Sequence, residues 1–240
     1  MNIILTGASS GIGKSILKEL LLVPNANILT ISRNKPEVLN NNIKWIKCDL
    51  SNQNELENIL TEIENFKCDI LVNNAGSGKV LDLEEISYEN IVREVSLNLI
   101  APMLLTKSVS KNMVAKNYGR IINISSISGV YGTPYLFTYS ATKAGINNFT
   151  QSSANYFSGK NITVNSISPG GIDTDMAVNG RKEISKLYNM NENDYQNQMM
   201  KQMGVSKLIN SEEVAKLVKF LIETPSINGQ NINICGLIER

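Results

Sequence analysis

Tyr139 and Lys143 stand four residues apart in the stretch Tyr-Ser-Ala-Thr-Lys. On a helix that is one turn, which sets a phenol beside an ammonium. A phenol ionises near pH 10, and a cation about 6 Å away at an effective dielectric near 20 favours its anion by roughly 2.8 kcal/mol, or about two pKa units. The spacing therefore predicts a tyrosine tuned for proton transfer, with the lysine supplying most of the shift. The chain contains no histidine, so the commonest proton-transfer side chain near neutral pH is missing and acid–base work falls to another group.

A second candidate opens the chain. The run Ile3-Ile4-Leu5 leads into Thr6-Gly7-Ala8-Ser9-Ser10-Gly11-Ile12-Gly13, and an amphipathic stretch follows. Between a strand and a helix, Gly7 permits a tight turn, Gly11 lets backbone approach a pyrophosphate, and Gly13 allows close helix packing. The helix N-terminus presents N–H groups to the anion. The expected ligand is a dinucleotide, with Ser9, Ser10 and Ile12 counted with the glycines as its binding loop. A Walker loop is disfavoured: Lys14-Ser15 follows Gly13, but the preceding glycine is two positions back rather than five. Where an NAD site usually carries an acid, after the second strand, the chain reads Ile31-Ser32-Arg33. Ser32 takes the acid's place, and Arg33 offers a planar cation for a 2'-phosphate, so NADP(H) is expected over NAD(H).

Short β-branched runs alternate with longer amphipathic segments, the pattern of βα units wound into a parallel sheet. Strands are expected at 2–6, 27–32, 43–48, 69–72, 119–125, 161–168 and 230–235, and helices near 11–23, 52–65, 84–116, 136–157 and 211–223. The fold class is α/β: one Rossmann-type domain over 1–240, a doubly wound parallel sheet of about seven strands with helices on both faces. The segment 176–208 is too long for a plain crossover and holds Met176, Met190, Met199, Met200 and Met203. It is expected to be a substrate lid, the alternative being a helical pair whose methionines pack on the body.

With 240 residues and 42% hydrophobic content the chain can bury one large core. Its 23 basic and 22 acidic residues give a net charge of +1 with no basic block, which disfavours nucleic acid as a partner. Cys48, Cys68 and Cys235 are widely spaced and have no histidine to complete a common zinc site, so no metal is expected and the thiols should be buried or free. No leader or membrane span is expected, and a cytoplasmic location follows.

With the glycine loop, Asn73-Asn74-Ala75-Gly76, Tyr139-x-x-x-Lys143 and Pro169-Gly170 in order along nearly the whole chain, the sequence resembles the short-chain dehydrogenase/reductase family. Within it, the chain looks most like the 3-oxoacyl-[acyl-carrier-protein] reductases. The resemblance implies a catalytic tetrad of Asn98, Ser126, Tyr139 and Lys143. Hydride would come from NADPH, Tyr139 would protonate the developing alkoxide, and Ser126 would hydrogen-bond the same oxygen. Lys143 would also hold the nicotinamide ribose, and Asn98 would carry a water-mediated relay, a merely structural buried amide being the rival. Ser126 is preferred to Ser125, and its place at a strand's carboxyl end independently fits a ligand crevice.

The resemblance also assigns Asp49 and Leu50 to the adenine end, Asn74, Ala75 and Gly76 to the adenosine side, and Pro169, Gly170, Ile172 and Thr174 to the nicotinamide end. Asp49 could instead cap the helix at 52–65, and Asn73 could tie neighbouring strands. Substrate contacts are expected from Ser126, Ser128, Tyr131, Tyr135 and the lid. The expected activity is NADPH-dependent reduction of a ketone or 3-oxoacyl substrate by a homodimer or homotetramer. The alternatives are a sugar, polyol or other alcohol oxidoreductase, or a non-catalytic NADP(H) sensor. Ile234-Cys235-Gly236-Leu237 replaces the family's usual C-terminal Asp-Gly-Gly and leaves the usual terminal interface open.

Overall fold

A computed structural model of the chain describes residues 1–38 and 40–236; Leu237 of the C-terminal motif lies outside them. Seven strands form one sheet: β1 (Asn2–Thr6), β2 (Asn27–Ser32), β3 (Ile43–Lys47), β4 (Ile70–Asn73), β5 (Gly119–Ile124), β6 (Ile162–Pro169) and β7 (Asn231–Ile234). Their order is β3-β2-β1-β4-β5-β6-β7 and every pairing is parallel. The strand order reverses between β1 and β4, and the crevice at their carboxyl ends is where an open parallel sheet binds ligands.

Among the described residues eight α-helices accompany the sheet: α1 (Gly11–Leu20), α2 (Gln53–Asn65), α3 (Tyr88–Val95), α4 (Ala101–Lys116), α5 (Phe137–Tyr156), α6 (Asp175–Leu187), α7 (Glu192–Gln202) and α8 (Ser211–Glu223). One core lies between the sheet and α1 with α8, where Ile16, Leu17 and Leu20 meet Val214, Val218 and Leu221. The other lies against α2 and α4, with Leu56, Ile63, Leu105, Val109 and Met113. Strands covered on both faces read as near-continuous apolar runs, and burying each Ile or Leu removes it from water at about 1.5–3 kcal/mol in favour of the fold. Cys48, Cys68 and Cys235 are free and buried, as expected. Among the described residues no helix is long and apolar enough to cross a membrane.

The helix expected over 84–116 is divided. Leu83–Glu85 forms a separate 3-10 turn, α3 starts at Tyr88 behind the Ser87 cap, and a π-helical turn at Ser96–Ile100 joins α3 to α4. Pro102 accounts for the turn: it has no N–H to return to the Asn98 carbonyl four residues back, and the ladder widens around that position. The irregular stretch 176–208 is a pair of helices, α6 and α7, standing over the carboxyl ends of the strands' loops.

Candidate active site

The glycine loop turns from β1 into α1 under steric compulsion. Gly7 has φ +69°, and a Cβ added at Gly13 would lie 2.0 Å from the Gly7 carbonyl oxygen. No side chain could stand at Gly13 without moving that turn. Ser10 occupies the N-cap of α1 but its hydroxyl makes no capping bond, so the first N–H groups of the helix keep their capacity for an anion. The residues thus fit a dinucleotide.

Around the loop, several expected cofactor residues prove to be braces. Asn74 donates from Nδ2 to the carbonyls of Thr6 and Gly7 at 2.9 and 3.1 Å, and the Ala75 N–H donates to Thr6 Oγ1 at 2.9 Å. Asn73 donates to Asn123 Oδ1 at 2.8 Å, tying β4 to β5. Ser32 departs from its expected role: it is buried, its hydroxyl donates to the Asn34 carbonyl at 2.7 Å and accepts from Trp45 Nε1 at 3.1 Å. Its hydrogen-bonding capacity is therefore committed within the protein, whereas Arg33 beside it is exposed. The Leu50 side chain belongs to the core against α2 and α4, so only its backbone could face a ligand.

Asp49 accepts from the Ser51 N–H and hydroxyl at 3.0 and 2.6 Å and stands 3.6 Å from Arg93. The cap of α2 is Asn52, so Asp49 does not serve there. Partial burial works to raise its pKa, but the Ser51 bonds, with Arg93 and Arg33, hold the carboxyl below its usual value.

Ser126 lies two residues beyond β5, at the cap of the 3-10 turn Ile127–Gly129, and Tyr139 rises from the first turn of α5. Both line a cavity of about 580 Å³, together with Ser128 and Tyr131, with Pro169, Gly170, Ile172 and Thr174, and with Ile12. Ser126 Oγ accepts from the Ser128 N–H at 3.1 Å, which leaves its own hydrogen free to donate. Neighbouring Ser125 also borders the cavity, but its hydroxyl donates to the Lys143 carbonyl at 3.1 Å. Gly78 passes flat against Tyr139, where a Cβ would lie 2.8 Å from the ring.

The electrostatics reverse the expected tuning. Burial raises the Tyr139 pKa above its ordinary value, hydrogen bonding to the Ser126 side chain works against this, and Glu94 pushes it further up. Burial also lowers Lys143 to about 8. Lys143 is 4% exposed and donates from Nζ to the Ile124 carbonyl at 2.8 Å, with Nζ 5.5 Å from the Tyr139 ring centre. The Coulomb argument from spacing left out the cost of desolvating both groups, and that cost dominates without a ligand.

Asn98, in the π turn, accepts from the Ser77 N–H at 3.0 Å and donates to the Ser77 carbonyl and Thr142 Oγ1 at 2.8 and 3.1 Å. A Cβ at Gly76 would lie 3.2 Å from Asn98 Oδ1 and 3.3 Å from Lys143 Nζ, so Gly76 is the point at which the two approach.

Tyr135 corrects another expectation. It does not line the cavity; its backbone is left-handed at φ +64° and its ring packs edge-on against Tyr188, which does line it. Four of the five methionines of the stretch 176–208, Met176, Met190, Met199 and Met203, line the cavity. Of the buried charges that the sequence does not announce, Glu94, Arg120 and Arg181, two bear on the site. Glu94 accepts from the Lys79 N–H at 2.7 Å and leaves its other oxygen without a partner; its position four residues before Asn98 was the available signal. Arg181 of α6 is the other, and nothing in the local pattern marks it as buried.

The short chain dehydrogenase family model matches residues 1–185. A 3-oxoacyl-[acyl-carrier-protein] reductase of Rickettsia bellii is 35% identical over 97% of this chain and 94% of its own. Among solved structures, an actinorhodin polyketide ketoreductase variant with NADPH superposes with a TM-score of 0.87 at 28% identity, covering 98% of this chain and 95% of that one. A 4-hydroxyisoleucine dehydrogenase with NADH gives 0.79 at 28% identity, covering 98% and 96%.

Proposed function

Since the chain belongs to the short-chain dehydrogenase family, we propose that it is an NADPH-dependent oxidoreductase that reduces a ketone or 3-oxoacyl substrate to the alcohol. The observation that carries this reading is the meeting of Ser126 and Tyr139 on one cavity wall with Lys143 buried behind them. When bound, the nicotinamide supplies the hydride.

The chain's own residues do the rest. Ser126 donates to the carbonyl oxygen while its Oγ is held by the Ser128 N–H. Tyr139, with its raised pKa, keeps its proton until an alkoxide develops and then delivers it. Lys143 rests its amine against the Ile124 carbonyl close to Gly76 and would hold the ribose hydroxyls of the cofactor. Asn98 fixes the Ser77 loop through both its amide atoms, and the relay proposed for it would run past Gly76, which Asn98 Oδ1 and Lys143 Nζ both approach. Gly7 to Gly13 and the start of α1 hold the pyrophosphate, Ile172 and Thr174 the nicotinamide end, and α6 with α7 close over the substrate as a lid.

NADP(H) is preferred because Arg33 is exposed beside a Ser32 that carries no charge. Support from relatives is divided, since one neighbour holds NADPH and another NADH. Exposed Ile91, Val92, Ile100 and Phe137 on α3, the π turn and α5 support a homo-oligomer. The test is a panel of acyl thioesters, diketones, sugars and steroids followed by NADPH absorbance. Reduction of an oxo compound sustains the proposal. Oxidation of polyols alone would favour the alcohol dehydrogenase, and cofactor binding without any turnover would favour a sensor.

A further inference from the structure

Arg181 is the only charged residue, among those described, on the wall of the cavity that Ser126 and Tyr139 line. It projects from lid helix α6 and is 6% exposed. Its Nη1 donates to the Ile172 carbonyl at 2.9 Å, while Nε is buried with no hydrogen-bond partner. None of the ion pairs within 4 Å among the described residues includes it. Asp173 and Glu192 act on it only at longer range.

A guanidinium stays charged at any pH a protein survives, and a buried cation without a paired anion is expensive. With Nη1 committed to Ile172, the edge formed by Nε and Nη2 remains, and that edge matches a carboxylate with two parallel hydrogen bonds. Gln198 and Gln202 of α7 add polar groups to the same wall, and Tyr188 and Tyr195, stacked 6.0 Å apart, flank it with aromatic surface. The remaining lid surface is mostly methionine and isoleucine. The cavity therefore carries one anion-reading position in a largely apolar enclosure that also holds the Ser126 and Tyr139 hydroxyls.

We infer that Arg181 binds a carboxylate on the substrate, so that the pocket takes an oxo acid with its carbonyl at Ser126 and Tyr139. The inference rests on the reductase reading above. Arg181 also touches Ile172, in the loop assigned to the nicotinamide end, so a cofactor phosphate is the rival anion.

The experiment compares acetoacetate and levulinate, each against its methyl ester, in the wild type and in Arg181→Gln and Arg181→Lys, with NADPH affinity measured alongside. The wild type should prefer acid to ester. Arg181→Gln should collapse that preference about 100-fold, mainly through KM, as expected for a lost charge-assisted pair, and Arg181→Lys should restore part of it. Equal losses on acid and ester, equal use of both by the wild type, or a fall in NADPH affinity would each overturn the inference. If the wild type reduces neither compound, nor any oxo compound of the panel, the reductase reading fails separately. Calorimetric binding of glutarate to the wild type then decides: binding removed by Arg181→Gln sustains the anion site, and no binding overturns it. Arg181→Lys serves the same comparison if the glutamine variant does not fold.

Discussion

Lys143 Nζ stands 5.5 Å from the centre of the Tyr139 ring and gives its hydrogen bond to the Ile124 carbonyl, 2.8 Å away. The two groups share a site that disfavours charge on either. Burial raises the phenol and lowers the ammonium to about 8, so each is drawn toward its neutral form. Anions placed in the adjoining crevice by a ligand would favour the lysine's charged form and restore the contrast that the spacing alone promises.

Lys143 has a folded-state pKa of about 8 against an ordinary 10.5. The unfolded chain therefore binds more protons between those values, and this group's contribution to stability rises as pH climbs from about 8 to 10.5 and is lost on the way down. Lys143→Met should remove that rise. The stability difference between wild type and variant should change by at most about 3 kcal/mol across the window, read from denaturant unfolding at each pH. Parallel curves would show that the lysine is not desolvated.

Ser125 and Ser126 both border the cavity but are differently engaged, one giving its hydroxyl proton to the Lys143 carbonyl and the other accepting from the Ser128 N–H. Ser126→Ala should lower kcat by about 100-fold or more with little change in melting temperature. Ser125→Ala should cost about 1 kcal/mol of stability and far less turnover. Reversed outcomes would reassign the oxygen-binding hydroxyl.

Much of the frame was legible in the sequence. The seven strands and their glycine loop could be drawn because parallel strands covered on both faces leave continuous β-branched runs, and because Gly7 and Gly13 occupy positions that steric contact forbids to other residues. The division of 84–116 was missed because its apolar content was taken as one period, although Pro102 already announced a broken ladder at Asn98. The pair α6 and α7 was read as irregular because its exposed faces are polar and its methionines point toward a cavity rather than a core. Desolvation of Tyr139 and Lys143, the edge-on seat of Tyr135, and the burial of Glu94 and Arg181 depend on segments distant in the chain. Apart from the four residues that separate Glu94 from Asn98, spacing carries no record of them.

Arg33 is the residue on which cofactor choice turns. Arg33→Ala should weaken NADPH binding by about tenfold or more, the loss of one charge-assisted contact to a phosphate, and leave NADH affinity nearly unchanged. Titration of cofactor fluorescence reads both. Equal affinities for the two cofactors in the wild type, unaltered in the variant, would assign the chain to NAD(H) or to neither preferentially.

A methyl at Gly13 would meet the Gly7 carbonyl oxygen at 2.0 Å. Gly13→Ala should therefore destabilise the protein by about 1–3 kcal/mol through overpacking and abolish detectable cofactor binding, as melting curves with and without NADPH would show. A variant that melts normally and is still stabilised by cofactor would mean that the turn is not held as tightly as its contacts require.

The central claim is that Tyr139 supplies the proton in a carbonyl reduction. Tyr139→Phe keeps the ring against Gly78 and removes only the hydroxyl. Once a substrate from the panel is in hand, single-turnover reduction by this variant, loaded with NADPH, should fall by about 100- to 10,000-fold while cofactor affinity stays within about twofold. Turnover at the wild-type rate would contradict the account.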